Sequence, residues 1–155
     1  MATVKPIPDG YHTLTPYLRV RGGAAAMDFY KNAFGARELM RLTSPKDPTR
    51  VMHAEMMVGD SHLMLGDEYP EMKALSPASI GGTGSGVFIY VEDVDAVYNR
   101  AVELGARADM PPQNMFWGDR YAKVTDPFGH EWALATHVED VPPDELKRRT
   151  AKMFE

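Results

Sequence analysis

Cysteine is absent from this 155-residue chain, which removes disulfides, thiolate metal ligands and cysteine nucleophiles together. A basic surface is missing as well. With 17 Lys and Arg against 22 Asp and Glu, a formal charge of −5, the chain has no source for the phosphate neutralisation that nucleic-acid binding needs, so nucleic acid is set aside as a partner. No run of about 18 apolar residues occurs, and the opening MATVKPIPDGYHTLTPY lacks the apolar stretch of a signal peptide. The expectation is a cytoplasmic protein with no membrane partner. What is present, 44% hydrophobic and 25% charged residues, suits one compact domain or two small fused modules. Eleven methionines adapt to an irregular core or to a pocket for bulky apolar ligands.

An internal repeat organises the chain. PYLRVRGGAAAMDFYKNAFGAR (16–37) is echoed by GVFIYVEDVDAVYNRAVELGAR (86–107), each a strand, a helix and a Gly-Ala-Arg exit. Ala26, Phe29, Tyr30, Ala33 and Phe34 fall on one helical stripe, and Val94, Val97, Tyr98, Ala101 and Val102 repeat it. Asp93 or Glu92 can cap the second helix, and Gly35 and Gly105 stop the two. Strands are expected over 38–42, 51–58 and 61–65 in the first half, the last two joined by a Gly59-Asp60 hairpin turn. In the second half they fall over 108–110, 121–125 and 130–136, with Asp126-Pro127-Phe128-Gly129 as the turn. Both halves read βαβββ. The domain plan is an N-terminal extension (1–12), a first module (13–67), a Gly/Ser/Pro-rich linker (68–84) expected as a long surface loop, a second module (85–138) and a C-terminal helix (139–155).

The stretch NMFWGDRYAKVTDPFGHEWALATH raises the question of a catalytic strip. A zincin needs H-E-x-x-H on a helix, whereas His130 and His137 lie seven apart on an expected strand, on opposite faces. Trp132 and Leu134 read as core. Trp117 offers a flat platform and Arg120 a fork for carboxylates or rings, although Gly118-Asp119 is also a turn signal and Asp119 can simply pair with Arg120. GGTGSG has no strand before it or helix after it, so it is no phosphate loop.

Paired βαβββ modules carrying MDFYKNAFGA and DPFGHEW resemble the vicinal oxygen chelate superfamily of glyoxalases, bleomycin-resistance proteins and extradiol dioxygenases, over residues 13–137. HAEMMVGDSHLMLGDE, FWGDRYAKVTDPFGHEWALATH and PPDELKRRTAKMF are most similar to its PhnB-like branch. The resemblance implies an α+β fold of two modules whose mixed sheets cup a cleft, usually completed in a homodimer. It also implies four inward positions for metal ligands, which here are Thr15, Met64, Gly86 and Ala133. A hydroxyl, a thioether, a hydrogen and a methyl make no first shell, so no metal site and no cofactor are expected.

Strand alternation from these anchors turns Thr15, Tyr17, Arg19, His53, Glu55, Met57, His62 and Met64 to the cleft, with Phe88, Tyr90 and Glu131 from the second module. Met52, Ala54, Met56 and Val58 then face the helix. His53 and Glu55 share a face, so they form an acid/base pair, part of an unusual metal site, a bonded pocket wall or a pair at a dimer seam. Glu131 is a third base or a solvated side chain. Ligand contacts are assigned to Thr15, Tyr17, Arg19, His62, Met64, Phe88, Tyr90, Trp117 and Arg120, and any catalysis to His53, Glu55 and Glu131. The expected function is binding of a small organic molecule between the modules. The alternative is a lyase or isomerase of glyoxalase type that holds a divalent metal on non-standard ligands, and whether any reaction occurs stays open.

Overall fold

A computed structural model describes residues 4–155 and divides the chain into two compact units, Met1–Thr83 and Gly84–Glu155. Each unit packs one four-stranded mixed sheet against a helix. In the first unit the elements run β1 (Tyr17–Val20), α1 (Gly23–Phe34), β2 (Arg37–Thr43), β3 (Val51–Val58) and β4 (Ser61–Asp67), with sheet order β1-β4-β3-β2. The second repeats this as β5 (Gly86–Tyr90), α3 (Val94–Glu103), β6 (Arg107–Asn114), β7 (Asp119–Thr125) and β8 (Glu131–His137), in order β5-β8-β7-β6. β1 lies parallel to β4 and β5 parallel to β8, while the other pairings are antiparallel. The class is α+β, and the repeat read in the sequence is a repeat of structure. No helix among the described residues is long and apolar enough to cross a membrane.

The stripe of α1 is buried as its spacing requires: Ala26, Met27, Phe29, Tyr30, Ala33 and Phe34 pack on the sheet, and Asp28 and Asn32 stay outside. Each of its aromatic rings removed from water stabilises by about 1.5–3 kcal/mol. Gly35 ends the helix in the left-handed conformation, at φ 68°. Asp93 caps α3, its carboxylate accepting from Ala96 N at 3.0 Å. The start of α1 is different. Its N-cap is Gly22, which has no side chain to give, and the cap comes from β4: Asp67 Oδ1 accepts from Gly22 N at 2.8 Å and Gly23 N at 2.9 Å, and Oδ2 from Val51 N at 2.7 Å.

Four expectations need correction. Met52 does not face the helix: it is 45% exposed, because pairing jumps from Leu42↔His53 to Thr43↔Val51 and leaves Met52 as the extra residue of a bulge. β6 extends to Asn114 through Pro111 and Pro112, which lack an N–H to donate but sit on the sheet edge, where no ladder partner asks for one. β8 begins at Glu131, one residue after the expected start, because His130 still belongs to the turn.

The segment expected as a long loop is fastened down instead. It holds a short 3-10 turn (Pro70–Met72) and α2 (Pro77–Ile80), and a bridge pairs Tyr69 with Ala74. Glu68 accepts from the hydroxyls of Ser79 (2.6 Å) and Ser76 (2.7 Å), from Ser76 N (2.9 Å) and from Arg21 (3.0 Å), and these donors hold its carboxyl down at about 2. Arg50 bonds the Glu68 carbonyl and stacks 3.9 Å over the Tyr69 ring. The C-terminal helix α4 (Pro143–Lys152) is moored by Arg149, which bonds Glu139 at 2.6 and 2.9 Å and Glu145 at 2.8 Å.

Candidate functional site

Each unit turns one sheet face to its helix and leaves the other open. On the open face of the first unit, β3 places His53 and Glu55 two residues apart, and the structure joins them: His53 Nε2 lies 3.2 Å from Glu55 Oε1. The chain of bonds runs further at both ends. The Tyr11 hydroxyl donates to Glu55 Oε2, and the Tyr17 hydroxyl meets His53 Nδ1 at 3.0 Å. Tyr11 keeps the Glu55 carboxyl below its ordinary range, His53 adding to this, and Glu55 in turn pushes the Tyr11 hydroxyl up to about 12. Tyr11 also stacks on His62, centroids 3.7 Å apart, and His62 is buried with an Nδ1 that has no hydrogen-bond partner among the described residues. Arg19 lies 4.5 Å over the Tyr17 ring. Gly66 makes that stack possible: a Cβ there would stand 3.1 Å from Arg19 Nη1, 3.2 Å from the Tyr17 hydroxyl and 2.7 Å from the Met52 carbonyl oxygen. Thr15 and Met64 line a pocket of about 540 Å³ together with Tyr11 and Glu55.

The open face of the second unit is aromatic. Tyr90 packs on Phe88 with centroids 5.1 Å apart, Phe88 on Tyr121 at 6.0 Å, Tyr121 on Trp117 at 5.7 Å, and Trp117 on Phe116 at 5.1 Å. Phe88 is 48% and Tyr90 64% exposed, an unusual outlay of aromatic surface. One carboxylate fixes three of the groups around it. Asp119 is buried, and its Oδ2 accepts from Trp117 Nε1 at 3.0 Å and the Tyr90 hydroxyl at 3.2 Å, while Oδ1 meets His137 Nδ1 at 2.8 Å. The hydrogen bonds of Asp119 and Asp140 raise the pKa of His137. Burial first, and then the Asp119 charge, raises that of Tyr90. A smaller pocket of about 250 Å³ lies on the same face, among Gly86, Phe88, Tyr121, Lys123, Glu131 and Ala133.

The expected site residues divide accordingly. Thr15, Tyr17, Arg19, His53, Glu55, His62 and Met64 gather on the first unit; Phe88, Tyr90, Trp117 and Glu131 belong to the second. Glu131 is paired with Lys123 at 2.7 Å. Arg120 points away from Asp119, as the next residue of a strand must, and forks onto Asp95 of α3 at 2.5 and 2.7 Å. The His130-Glu131 pair is turn and strand. Asp126 Oδ1 accepts from Phe128 N and His130 N, each at 2.9 Å, and Oδ2 from the buried Trp132 Nε1 at 2.9 Å, so DPFGHEW is a turn held by one carboxylate.

Tyr11, Asp119 as a hub, Tyr121, Lys123, His137 and Gly66 were missed. Alternation from Glu131 along the β7–β8 hairpin could have placed Tyr121 and Lys123, but nothing local foretells Tyr11 meeting Glu55 across 44 residues. The four positions that would hold a metal do not fit one: Thr15 and Met64 offer a hydroxyl and a thioether, and Gly86 and Ala133 offer nothing. Among the described residues, no group of three or more His, Asp or Glu is placed to hold a metal ion.

A family model described as the Glyoxalase/Bleomycin resistance protein/Dioxygenase superfamily matches residues 11–134. The chain is 40% identical over 137 residues to an uncharacterized protein of Mycobacterium tuberculosis, Rv0887c, covering 86% of this chain and 79% of that one. The crystal structure of TioX from Micromonospora sp. ML1 is similar at TM-score 0.62 and 29% identity, over 82% of this chain and 99% of that one. A PhnB protein from Bacillus cereus shares the fold at TM-score 0.64 with 18% identity, over 81% of this chain and 99% of its own.

Proposed function

From the premise that this chain belongs to the glyoxalase/bleomycin resistance protein/dioxygenase superfamily, we propose that it binds a small, flat organic molecule and does so without the superfamily's four-ligand metal site. One observation carries the reading: the chain of rings on the second unit, Tyr90 and Phe88 exposed and Tyr121 and Trp117 half-buried, with Tyr90 and Trp117 pinned by the buried Asp119. Pinning matters because a ring already held in place loses little freedom when a ligand stacks on it. A ring offered at stacking distance contributes about 0.5–1.5 kcal/mol per partner beyond the area it buries. Lys123 and Glu131 at the edge of the rings supply polar handles for orientation. The reading includes a cytoplasmic homodimer, the usual assembly that the resemblance implies, and light scattering giving the mass of a single chain would remove that part.

The test is a screen of planar aromatic compounds by quenching of tryptophan fluorescence, followed by calorimetry on the hits. Trp117→Ala and Tyr90→Ala are each expected to weaken binding by about tenfold or more, and His53→Ala by less than about twofold. The reverse ranking would sink the proposal. In that case the metal-dependent lyase becomes the better reading, and elemental analysis after incubation with zinc, nickel, manganese or iron is the measurement to make.

A further inference from the structure

We infer, resting on the reading of the aromatic face as the ligand surface, that His137 is a positioning residue of that face. As the imidazolium it fixes Asp119, and through Asp119 the rings of Trp117 and Tyr90. Once it loses that proton, the face grips a planar ligand less tightly.

Asp119 is the first residue of β7 and His137 the last of β8, and the two are register partners at the end of the ladder. Strand ends fray unless side chains tie them. Beyond them the Gly118 carbonyl accepts from Val138 N and Glu139 N, which turns the chain back across the start of β7 and brings Asp140 to the imidazole. Asp119 Oδ1 lies 2.8 Å from His137 Nδ1, and Asp140 Oδ1 lies 2.8 Å from Nε2. Carboxylate oxygens accept, so each ring nitrogen needs its own hydrogen, and only the charged form of the ring carries two. The same two bonds, that to Asp119 first, raise the pKa of His137. The charged form therefore persists above the ordinary histidine value of about 6.5 and is lost as the pH climbs through the raised one.

The two carboxylates differ in what they lose with the proton. Asp140 is fully exposed, and water takes the place of the imidazole there. Asp119 is buried, and of its side-chain donors, Trp117 Nε1, the Tyr90 hydroxyl and His137 Nδ1, only His137 brings a positive charge. A buried carboxylate without a countercharge is costly, and a shift toward water relieves it. Trp117 and Tyr90 both donate to Oδ2, so that shift moves both rings. The neighbouring charged groups are committed elsewhere. Arg120, next on β7, forks onto Asp95, while on α4 Arg149 is held by Glu139 and Glu145 and Arg148 by Glu145. At the exit of β5, Asp93 caps α3 and Glu92 is exposed, and neither adds positive charge.

The first readout needs no ligand. The chain has two tryptophans, and Trp132 Nε1 is bonded to Asp126, so its indole signal is an internal control. In isotope-labelled protein titrated from about pH 6 to about pH 9, the Trp117 indole N–H resonance should follow the midpoint of the His137 ring, and that of Trp132 should not. The second readout is calorimetry with naphthalenemethanol, a planar probe that stays uncharged over this range. Its affinity should be about three- to tenfold weaker at the alkaline end. His137→Asn keeps a neutral donor near the Nδ1 position and should show the weaker affinity throughout, with a flat profile. Asp140→Asn removes one of the two acceptors that hold the proton, so it should move the midpoint to lower pH and keep the dependence. A Trp117 resonance that stays fixed while His137 titrates would overturn the inference. So would a probe affinity that is flat with pH, or a His137→Asn protein that keeps the original profile. No binding of the probe at any pH, with Trp117 still following His137, would sink the reading of the face as a ligand surface and this inference with it.

Discussion

Replacing Asp67 with alanine should lower the unfolding free energy of the first unit by about 3–5 kcal/mol, the sum of a lost helix cap and buried N–H groups left without an acceptor. The residue is buried and serves three backbone donors at once, at 2.8, 2.9 and 2.7 Å. Two belong to the start of α1, where Gly22 provides no cap of its own, and the third to the first residue of β3. Alanine would therefore loosen the helix and the strand together. For a chain of this length the midpoint of thermal unfolding should fall by roughly 10 °C. Asparagine keeps one acceptor oxygen for the Gly22 and Gly23 N–H groups but turns an amide toward Val51 N, so Asp67→Asn should lose about half as much. Urea and thermal denaturation of the three proteins check this. A loss below about 1 kcal/mol for alanine would mean that water replaces the carboxylate freely.

Gly118→Ala is the second large effect, and it reaches the proposed ligand face. Gly118 has φ +106°, where a side chain is strained, and a Cβ there would overlap the Glu139 carbonyl oxygen and stand 3.0 Å from Val141 Cγ2. Its own carbonyl accepts from Val138 N and Glu139 N, both at 2.9 Å, so the backbones of 118 and 138–139 are locked together. The clash must be relieved by moving one of them, at about 2–4 kcal/mol. Because Trp117 and Asp119 flank this glycine, the movement also unseats the pinned rings. A planar ligand should then bind about tenfold more weakly even below the melting temperature. Gly59→Ala is the control, at φ +58° with open space around it, and should cost about 1 kcal/mol and no affinity. Ligand affinity unchanged in Gly118→Ala would show that the rings need no fixed backbone beneath them.

Much of this was legible because it is local. A 3.6-residue period buried Ala26, Phe29, Tyr30, Ala33 and Phe34, and the alternation of a strand turned Tyr17, His53, Glu55, Phe88 and Tyr90 to the open faces. The same rule failed at Met52, where a bulge inserted one residue into β3 and reset the alternation. The strand expected over 108–110 was too short, because an edge position lets β6 run on through Pro111 and Pro112 to Asn114. The linker was misread for a related reason. Its Gly, Ser and Pro mark turns, but the bonds from Ser76 and Ser79 to Glu68 hold it to the first sheet.

The sequence by itself determined the repeat, the two βαβββ units, the α+β class and the absence of metal ligands at the four expected positions. Each of these depends on residue identity and short-range spacing, which covalent geometry converts directly into faces. Only the tertiary structure decided what the charged groups do. Asp67 became a helix cap, Asp119 a clamp for Trp117 and Tyr90, Glu131 the partner of Lys123, and Glu55 the acceptor for Tyr11 and the partner of His53. A carboxylate's role is set by which donors come within about 3 Å of it. Those donors arrive from residues far away in the chain, as Tyr11 does to Glu55 across 44 residues, so no short window of sequence contains them.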